Sequence, residues 1–371
     1  MKLVFWLSIG FIACTYGGYP AWLYMRTRFR ARSVRRAPII PDVSIVMAVY
    51  NGARYLPKKL ENLNELDYPK DHVDTIVVSD GSTDETDSIL SAHAQERFQA
   101  VVSTEHRGKA AALNQGIRAA TGAIIFFTDV RQMIAPDALR YIVSNFADAT
   151  VGCVSGELLF GKGTTNASSD GMGLYWKMEK RIRCWEAQSS SSVGATGAIY
   201  ATRRELTPQI PEGTILDDVY IPLEIARQGG RVIFEPGAVA WDEEPEHVER
   251  EFRRKVRTLV GNYQIVRIAP WVLSRANPLR FEFVCHKLLR LIVPFALVSA
   301  FITSMFLRGT LYRVAFDVQL LMCLLAGLAS RKPRLGIVTR LASASLTFLV
   351  LDAAAAVALF YFVSGKKQVW A

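Results

Sequence analysis

The sequence predicts an α/β domain built around a parallel sheet, with apolar membrane segments on both sides of it. Between residues 43 and 129, strand-like and helix-like patterns alternate, which is typical of parallel sheets with right-handed crossovers. The apolar run Ala123–Phe127 has the composition of a strand that is buried on both faces. Apolar residues also dominate Leu3–Met25 and the chain after residue 288, whereas the middle holds most of the acids.

The amino-terminal segment Leu3–Met25 has no charged residue and is long enough to cross a bilayer. A cleaved signal peptide has a shorter apolar core, and Phe11 fits poorly in a lipoprotein cleavage site at Cys14. Aromatic residues near both ends instead favour an uncleaved anchor. We therefore predict a transmembrane anchor over residues 1–25 and a basic juxtamembrane linker over residues 26–40.

An arginine-rich run follows the anchor, between Arg26 and Arg36. Because positive loops remain in the cytoplasm, we expect the amino terminus outside and the α/β domain, at residues 41–268, in the cytoplasm. The same arginines are suited to anionic lipid head groups, which makes membrane lipids expected partners. The net charge of +10 is therefore interpreted as a membrane-surface feature, and no nucleic-acid partner is predicted.

The elements of the middle region can be predicted in chain order. The expected strands are Val43–Tyr50, Asp74–Ser79, Gln99–Ser103, Ala123–Thr128, Val151–Leu158 and Ala198–Thr202. The expected helices are Ala53–Leu66, Glu85–Phe98, Gly108–Ala120, one that follows Ile215–Asp218, and a long basic helix at Glu244–Ile268. The small-residue stretches Gly161–Asp170 and Ser189–Gly197 are expected to be a loop and a flexible segment.

An amphipathic interfacial segment is predicted at residues 269–287, ahead of a carboxyl-terminal transmembrane region at residues 288–371. Apolar spans are expected at about 291–307, 314–329 and 342–363. Their number stays open, because the first two are short and the middle one contains Asp317. The side of the carboxyl terminus also stays open. With Arg331–Arg334 in the cytoplasm, three spans place that terminus outside, whereas Lys366 and Lys367 favour the inside.

Polar motifs follow the predicted strands, at the edge where open α/β sheets gather their ligands. They are Ala48–Gly52 after the first strand, Asp80–Asp84 after the second, Arg107–Asn114 at a helix start, and Asp129-Val130-Arg131 after the fourth. Two strands that end in Asp within one α/β pattern suggest a site for a sugar nucleotide. Neither a Walker A sequence nor a GxGxxG fingerprint is present in the chain.

These motifs together resemble the family 2 glycosyltransferases with the GT-A (Rossmann-like) fold, of the membrane-bound inverting type. That family includes poly-N-acetylglucosamine, hyaluronan and cellulose synthases and ceramide glucosyltransferases. The resemblance covers residues 43–265 and the flanking membrane layout. It implies an integral, multi-pass protein of the cell membrane, with an N-terminal anchor, C-terminal transmembrane helices and a cytosolic catalytic domain.

The resemblance implies that a UDP-sugar donor is held at the ends of the strands. Val49, Tyr50 and Asn51 lie in the turn that contacts uridine in the family, and the glycine beside them permits close approach. Asp80 and Ser82 lie where the family binds the base or the ribose hydroxyls, although Ser, Thr and Asp also favour simple helix capping.

The same resemblance assigns the diphosphate to basic residues. Lys109 and Asn114 match the family's GKAxALN helix start, whose first-turn amides favour phosphate. Arg254 and Arg257 match two positions of the Q/R-x-x-R-W motif of processive relatives, and a basic membrane-facing helix is the alternative. Thr258 replaces the tryptophan, which puts processive polymerisation in doubt.

Asp129 matches the first aspartate of the family's DxD motif, which positions Mg²⁺ or Mn²⁺ on the diphosphate. Arg131 replaces the second aspartate. An arginine does not bind a cation, but it pairs with phosphate through two hydrogen bonds. We expect a metal retained on Asp129 and the diphosphate. In the alternative, Arg131 supplies part of the charge that a metal would provide.

The catalytic base is expected in the segment Leu216–Val219, which resembles the family's acidic pair on the acceptor side. By that resemblance Asp218 is the base and Asp217 its supporting neighbour. A carboxylate beside another carboxylate has a raised pKa, which suits a base, whereas the simpler interpretation is an acid pair placed for the helix dipole. Gly194–Gly197 resembles the family's acceptor-side loop.

The expected function is that of an inverting glycosyltransferase in cell-envelope or exopolysaccharide synthesis. It would transfer a sugar from a UDP-sugar to a membrane-associated lipid-linked or polysaccharide acceptor. Single-sugar glycolipid synthesis is one alternative. A catalytically silent nucleotide-sugar-binding partner of another synthase is a second, motivated by the altered DxD and R-x-x-R-W motifs. The donor sugar and the acceptor stay open.

Overall fold

The computed structural model describes residues 1–93, 96–161, 170–243, 248–329 and 337–365. The basic clusters at 331–334 and 366–367 lie outside these ranges. So do most of the predicted loop at 161–170 and the start of the helix predicted from Glu244.

The centre of the molecule is one 8-stranded mixed sheet with the strand order β3-β2-β1-β4-β7-β6-β8-β5. Its strands are β1 (Val43–Val49), β2 (Val73–Asp80), β3 (Phe98–Ser103), β4 (Ile124–Thr128), β5 (Met133–Ile134), β6 (Val151–Phe160), β7 (Ile199–Arg203) and β8 (Arg231–Asp242). The first half of this order is parallel, as predicted: β1 pairs with β2 and with β4, and β2 pairs with β3. The polar motifs that follow β1, β2 and β4 therefore meet at one edge of the sheet.

The second half of the sheet is mixed, and the sequence did not predict this. Strand β7 is antiparallel to both β4 and β6, whereas β8 runs parallel to β6. The prediction missed β8, because Pro236 and Gly237 in its middle argue against a regular strand. The structure accommodates them at a shift in the β6–β8 register, between the pairs Ser155–Phe234 and Glu157–Val239.

The helices that cover and extend the sheet are α1 (Lys2–Arg30), α2 (Leu56–Asn64), α3 (Thr86–Ala92), α4 (Lys109–Ala119), α5 (Ala138–Ser144), α6 (Asp170–Ser189), α7 (Asp217–Arg227), α8 (Val248–Ile268), α9 (Arg280–Phe306), α10 (Thr310–Ala329) and α11 (Ile337–Ser364). The predicted helices before and after β2 exist but are shorter at their ends. Helix α2 shows why they form: its buried positions Leu56, Lys59, Leu60 and Leu63 follow the helical repeat and pack on the sheet.

Within the described ranges, the helices long and apolar enough to cross a membrane are α1, α9, α10 and α11. This assignment rests on length and composition alone, and it gives three candidate spans after the domain. The predicted interfacial segment is not one helix. It holds a 3-10 turn at Pro270–Leu273, and its last part already belongs to α9, which starts at Arg280. The bounds of the five predicted segments stay predictions.

The apolar helix α11 packs directly against the basic helix α8. Val256 and Val260 of α8 lie in one buried cluster with Ala354 and Ala358 of α11, and the small alanines allow close approach. The rings of Tyr263 and Phe362 stack beside them, with centroids 5.4 Å apart. As a result, a candidate membrane helix borders the edge of the sheet where the polar motifs meet.

Candidate active site

The predicted acids and Lys109 come together in the structure. Lys109, the first residue of α4, places its Nζ 3.0 Å from Asp129 Oδ1 and 3.3 Å from Asp217 Oδ1. Asp129 follows β4 and Asp217 begins α7, so three separate elements supply this cluster. Burial alone would lower the pKa of Lys109, but Asp129 and Asp217 raise it above its ordinary value. Lys109 is therefore a fixed cation between two carboxylates.

Asp217 is buried, and each of its oxygens has a partner. Its Oδ1 faces Lys109, and its Oδ2 accepts a hydrogen bond of 3.4 Å from the Tyr200 hydroxyl. Burial and the nearby acids raise the pKa of Tyr200 well above its ordinary value, so Tyr200 stays a donor. Stacking on Phe127, with centroids 4.6 Å apart, fixes the tyrosine ring. This arrangement suits Asp217 to the supporting position predicted for it.

Asp218, the predicted base, is partly exposed to the cleft. Burial and the charge of Asp217 raise its pKa to about 6, against the opposing charges of Lys109 and Lys287. The Asp218 backbone carbonyl accepts a hydrogen bond of 2.7 Å from the Ala195 amide. A Cβ at Gly197 would lie only 3.1 Å from Asp218 Oδ2, so the glycine leaves room for the carboxylate. The loop Gly194–Gly197 thus holds the predicted base.

The stretch Ser189–Gly197 was expected to be flexible, but most of it is buried and hydrogen-bonded. The Ser192 amide donates to Val232 of β8, and the Thr196 hydroxyl donates 2.8 Å to Gly156 of β6. Small residues are needed here because the segment packs between the sheet and α7. Composition alone could not distinguish this tight packing from flexibility.

Lys59, which the sequence analysis did not select, supports the turn that presents Asp129. It is fully buried, and its Nζ donates to Thr128 Oγ1 at 2.8 Å and to the Gln132 carbonyl at 2.6 Å. Burial lowers its pKa to about 7, although Asp129 opposes this effect. A signal was present in the sequence: a lysine occupies the apolar stripe of α2, where a packed leucine would be ordinary.

Arg131, the residue that departs from DxD, pairs with an acid that the sequence analysis also missed. Its guanidinium lies 2.5 Å from Oδ2 of the buried Asp242, to which Gln132 Nε2 also donates at 2.9 Å. Arg254 approaches the same oxygen at 3.8 Å. Asp242 ends β8, the unpredicted strand, so no sequence signal drew attention to it. The predicted contacts of Arg131 and Arg254 with diphosphate stay predictions.

The motifs after β1 and β2 form one connected surface. The Tyr50 ring stacks on His106, with centroids 4.0 Å apart. Asn51 has a left-handed backbone (φ 49°), donates its amide to Ser82 Oγ at 3.1 Å, and accepts from the Thr83 amide at 2.8 Å. These contacts join the two predicted uridine-binding turns into one unit.

Asp80 holds the loop that leads into α4. Its buried carboxylate accepts hydrogen bonds from the amides of Arg107 (3.0 Å) and Gly108 (2.8 Å), and lies 2.9 Å from His106 Nδ1. Gly108 adopts φ +90°, which favours glycine. Asp80 therefore positions Lys109, the next residue, and its predicted contact with base or ribose stays a prediction.

Two of the predicted donor-binding residues have other contacts, and a third, Arg257, lines the cavity. The Val49 side chain is buried in the core with Met47 and Leu56. Asn114 donates 2.7 Å to the Ile210 carbonyl and accepts 2.8 Å from its amide, so it fastens a loop to α4. Arg257 is exposed on α8 and lines the cleft with Arg254. Their predicted contacts with the donor stay predictions.

A cavity of about 780 Å³ joins these groups to the candidate membrane helices. Its lining includes Lys109, Asp129, Asp217 and Asp218. It also includes residues of α1, α9 and α11. A volume of this size is ordinary for a small-molecule site. The cavity thus combines carboxylates and a fixed cation with walls from candidate membrane helices.

Known glycosyltransferases resemble this chain in sequence. Residues 44–210 match the model of the family described as glycosyl transferase family 2. A probable glycosyltransferase, YdaM, from Bacillus subtilis is 25% identical over 241 residues. A poly-beta-1,6-N-acetyl-D-glucosamine synthase from Staphylococcus aureus is 28% identical over 238 residues. Each match covers 61% of this chain and 56% of the relative, so the chain matches little more than half the length of these curated relatives.

A solved structure resembles the whole chain. The mannosyltransferase PcManGT from Pyrobaculum calidifontis, in complex with GDP-Man and Mn²⁺, superposes with a TM-score of 0.75 and 25% sequence identity. The superposition covers 98% of this chain and 100% of that chain. The predicted GT-A fold is thereby confirmed, with its mixed α/β sheet and the apolar helices at both ends.

Proposed function

Because the chain contains a family 2 glycosyltransferase domain, we propose that it transfers a sugar from a UDP-sugar to a membrane-associated lipid-linked or polysaccharide acceptor. The transfer inverts the configuration of the anomeric carbon. The observation that supports this most strongly is the meeting of Lys109, Asp129, Asp217 and Asp218 in a cavity that candidate membrane helices also line. Donor and acceptor can therefore reach the same acids within one cavity.

In the proposed reaction Asp218 takes the proton of an acceptor hydroxyl. The hydroxyl oxygen then forms a bond to the anomeric carbon, while the bond from that carbon to the diphosphate breaks and UDP leaves. A pKa of about 6 keeps Asp218 ionised at neutral pH and makes it a stronger base than an ordinary aspartate. Asp217 contributes the neighbouring charge that raises this pKa, and Lys109 offsets charge on the departing diphosphate.

The donor's nucleoside is assigned to the surface formed by Tyr50, His106, Asn51 and Ser82. The exposed, stacked rings offer an aromatic face to a base, and the joined turns offer polar groups to the ribose. Arg254 and Arg257 on α8 are assigned to the diphosphate, because both line the cavity that also contains Lys109.

A divalent cation fits this site only together with the donor. No group of three or more His, Cys, Asp or Glu side chains suited to a metal occurs within the described ranges. Asp129 is partly exposed in the cavity, and Gln132 Oε1 is a buried oxygen without a hydrogen-bond partner there. These two oxygens, with diphosphate oxygens and water, make a ligand set suited to Mg²⁺ or Mn²⁺. The cation would offset charge on the diphosphate.

Single-sugar glycolipid synthesis is the second candidate, and Thr258 supports it. This residue occupies the place of the tryptophan in the motif of processive enzymes. Its hydroxyl donates 3.1 Å to the Arg254 carbonyl of its own helix. Position 258 therefore offers no aromatic platform for a growing sugar chain.

The test is a donor panel on the purified full-length protein in native-lipid membranes. Radiolabelled UDP-sugars are supplied as donors, and GDP-mannose is tested as the alternative donor. Lipid-phase and polymer products are then separated. We expect label from one UDP-sugar in one product class, with release of UDP. Label from GDP-mannose alone would overturn the choice of nucleotide. No product and no nucleotide release from any donor would favour the silent-partner alternative.

A further inference from the structure

The cavity does not end at the catalytic acids but continues between helices that are candidates to cross the membrane. Besides Asp218 it is lined by Tyr16 of α1, Lys287 of α9, and Leu351, Asp352 and Ala355 of α11. None of these residues has a place in donor binding. We call this part of the lining the membrane end of the cavity, and the proposed reaction leaves it unassigned.

Asp352 is an ionisable residue in the middle of the apolar helix α11. It is only 6% exposed, and its Oδ2 has no hydrogen-bond partner among the residues that the structure describes. A buried carboxyl group inside a candidate span is costly unless something hydrogen-bonds to it. Because Asp352 lines the cavity, its missing partner can come from a molecule bound there.

Lys287 presents a second charged group to the same cavity. It lies in a π-helical turn of α9, Val284–Leu288, a distortion that is frequent at functional sites. It is partly buried, and Glu179 and Glu186 act on its charge without forming an ion pair with it among the described residues. Its positive charge acts on Asp218, which places it within electrostatic reach of the proposed base.

The acids nearest Lys287 are already occupied by other groups. His286 lies 2.9 Å from Glu179 Oε1 and 2.7 Å from Glu186 Oε1. Arg290 pairs with Glu179 at 2.8 Å, and the Tyr19 hydroxyl donates 2.5 Å to Glu186. Burial acts to raise the pKa of Glu179, but His286 and Arg290 hold it well below its usual range. Both carboxylates therefore have direct hydrogen-bonding partners other than Lys287, whose charge acts on them from a greater distance.

We propose that Lys287 and Asp352 form a headgroup subsite for a lipid acceptor that carries both a phosphate and hydroxyl groups. Lys287 binds the phosphate oxygens, and Asp352 accepts hydrogen bonds from headgroup hydroxyls. A further hydroxyl is presented to Asp218 and attacked as described above. This assignment rests on the proposed function and names the class of its acceptor.

A lipid fits this end of the cavity better than a free polysaccharide. Tyr16, Leu351 and Ala355 give it aromatic and apolar walls, and all three belong to candidate membrane helices. The Tyr16 ring lies against Phe348 of α11, with centroids 5.5 Å apart, so α1 and α11 meet there. Acyl chains can extend between these helices while the headgroup stays next to Asp218. A polymer would have to place sugar rings against those apolar walls.

The test measures lipid binding directly, so it does not depend on turnover. Fluorescent phosphatidylglycerol, phosphatidylcholine and diacylglycerol are titrated onto the full-length protein in a sugar-free detergent. Phosphatidylglycerol has both a phosphate and headgroup hydroxyls. Phosphatidylcholine lacks the hydroxyls, and diacylglycerol lacks the phosphate. We expect phosphatidylglycerol to bind most tightly. Lys287→Met and Asp352→Asn should each weaken it about tenfold or more, the usual effect of losing a charged hydrogen bond.

Two variants act as matched controls. Lys287→Arg keeps the cation and should retain most of the affinity. Asp317→Asn changes an exposed carboxylate in another candidate span, α10, and should change nothing. Soluble glycerol phosphate, added as competitor, should displace the lipid poorly, because it lacks the acyl chains.

The outcomes separate this subsite from the proposed function. Equal affinity for the three lipids, or variants that bind like the unaltered protein, would overturn the subsite even if UDP is released from a donor. If glycerol phosphate competes as strongly as unlabelled lipid, the subsite recognises a free phosphate and not a lipid. Selective lipid binding that depends on both residues would support the subsite even if the donor panel shows no transfer.

Discussion

The basicity of Asp218 depends on the residues that surround it. The residue is an ordinary aspartate in the sequence, and it gains a pKa of about 6 from burial and from Asp217. The sequence could identify the acid pair through its resemblance to a family motif. It could not show that Tyr200 and Lys109 would occupy both oxygens of Asp217, because these residues come from distant parts of the chain.

A pH prediction follows from this pair. Only ionised Asp218 accepts a proton, so the transfer rate should fall as the pH drops through about 6 and level off above it. Asp217→Asn removes the neighbouring charge, so the pKa of Asp218 should fall and the acidic limb should move to lower pH. The measurement is the pH dependence of kcat for both proteins. If the fall of kcat at low pH stays at the same pH in Asp217→Asn, or moves to higher pH, Asp217 does not raise the pKa of Asp218.

Arg131 allows a prediction about the altered DxD motif. Arg131→Asp removes the nearest cation of the buried Asp242 and should lower the free energy of unfolding by about 3 kcal/mol in chelator. It also sets a second carboxylate beside Asp242, so Mn²⁺ should raise the Tm of this variant in the absence of nucleotide. Arg131→Gln, the control, loses the ion pair without gaining an acid. A Tm response to Mn²⁺ no larger than that of the control would contradict the prediction.

At the scale of elements, the sequence predicted the parallel half of the sheet well and the rest less well. Strands β1, β2 and β4 are short apolar runs between clear helices, so their order and their shared edge followed from the pattern. Strand β8 was missed because of Pro236 and Gly237, and Asp242 at its end was missed with it. The buried loop Ser189–Gly197 resembled a flexible segment because small residues serve both tight packing and mobility.

Helix α2 offers a prediction at this scale, because it supports the turn after β4. Lys59→Met keeps the volume but removes both hydrogen bonds, to Thr128 and to Gln132. The turn that presents Asp129 should loosen, and the donor KM should rise about tenfold, as expected when a buried hydrogen-bonded group loses its partner. Lys58→Met changes the neighbouring exposed lysine and should leave KM unchanged. Equal KM values for the two variants would contradict this role.

At the scale of the whole molecule, access of the donor to the site depends on which side of the membrane the domain occupies. A UDP-sugar is available in the cytoplasm, and the arginines between Arg26 and Arg36 resist translocation. A reporter fused after Arg36 should therefore be active only on the cytoplasmic side. The measurement compares a phosphatase, active outside, with a fluorescent protein that matures inside. An active phosphatase at this position would contradict the proposed access of the donor.

The central claim is that Asp218 removes the proton of an acceptor at the membrane end of the cavity. The most direct measurement compares sugar transfer and UDP binding in the unaltered protein and in Asp218→Asn. The carboxamide keeps the shape but cannot accept the proton. We predict a loss of transfer of about 100-fold or more, with UDP binding retained. Transfer by the Asn variant at the rate of the unaltered protein would show that Asp218 is not the base and would contradict the proposed mechanism.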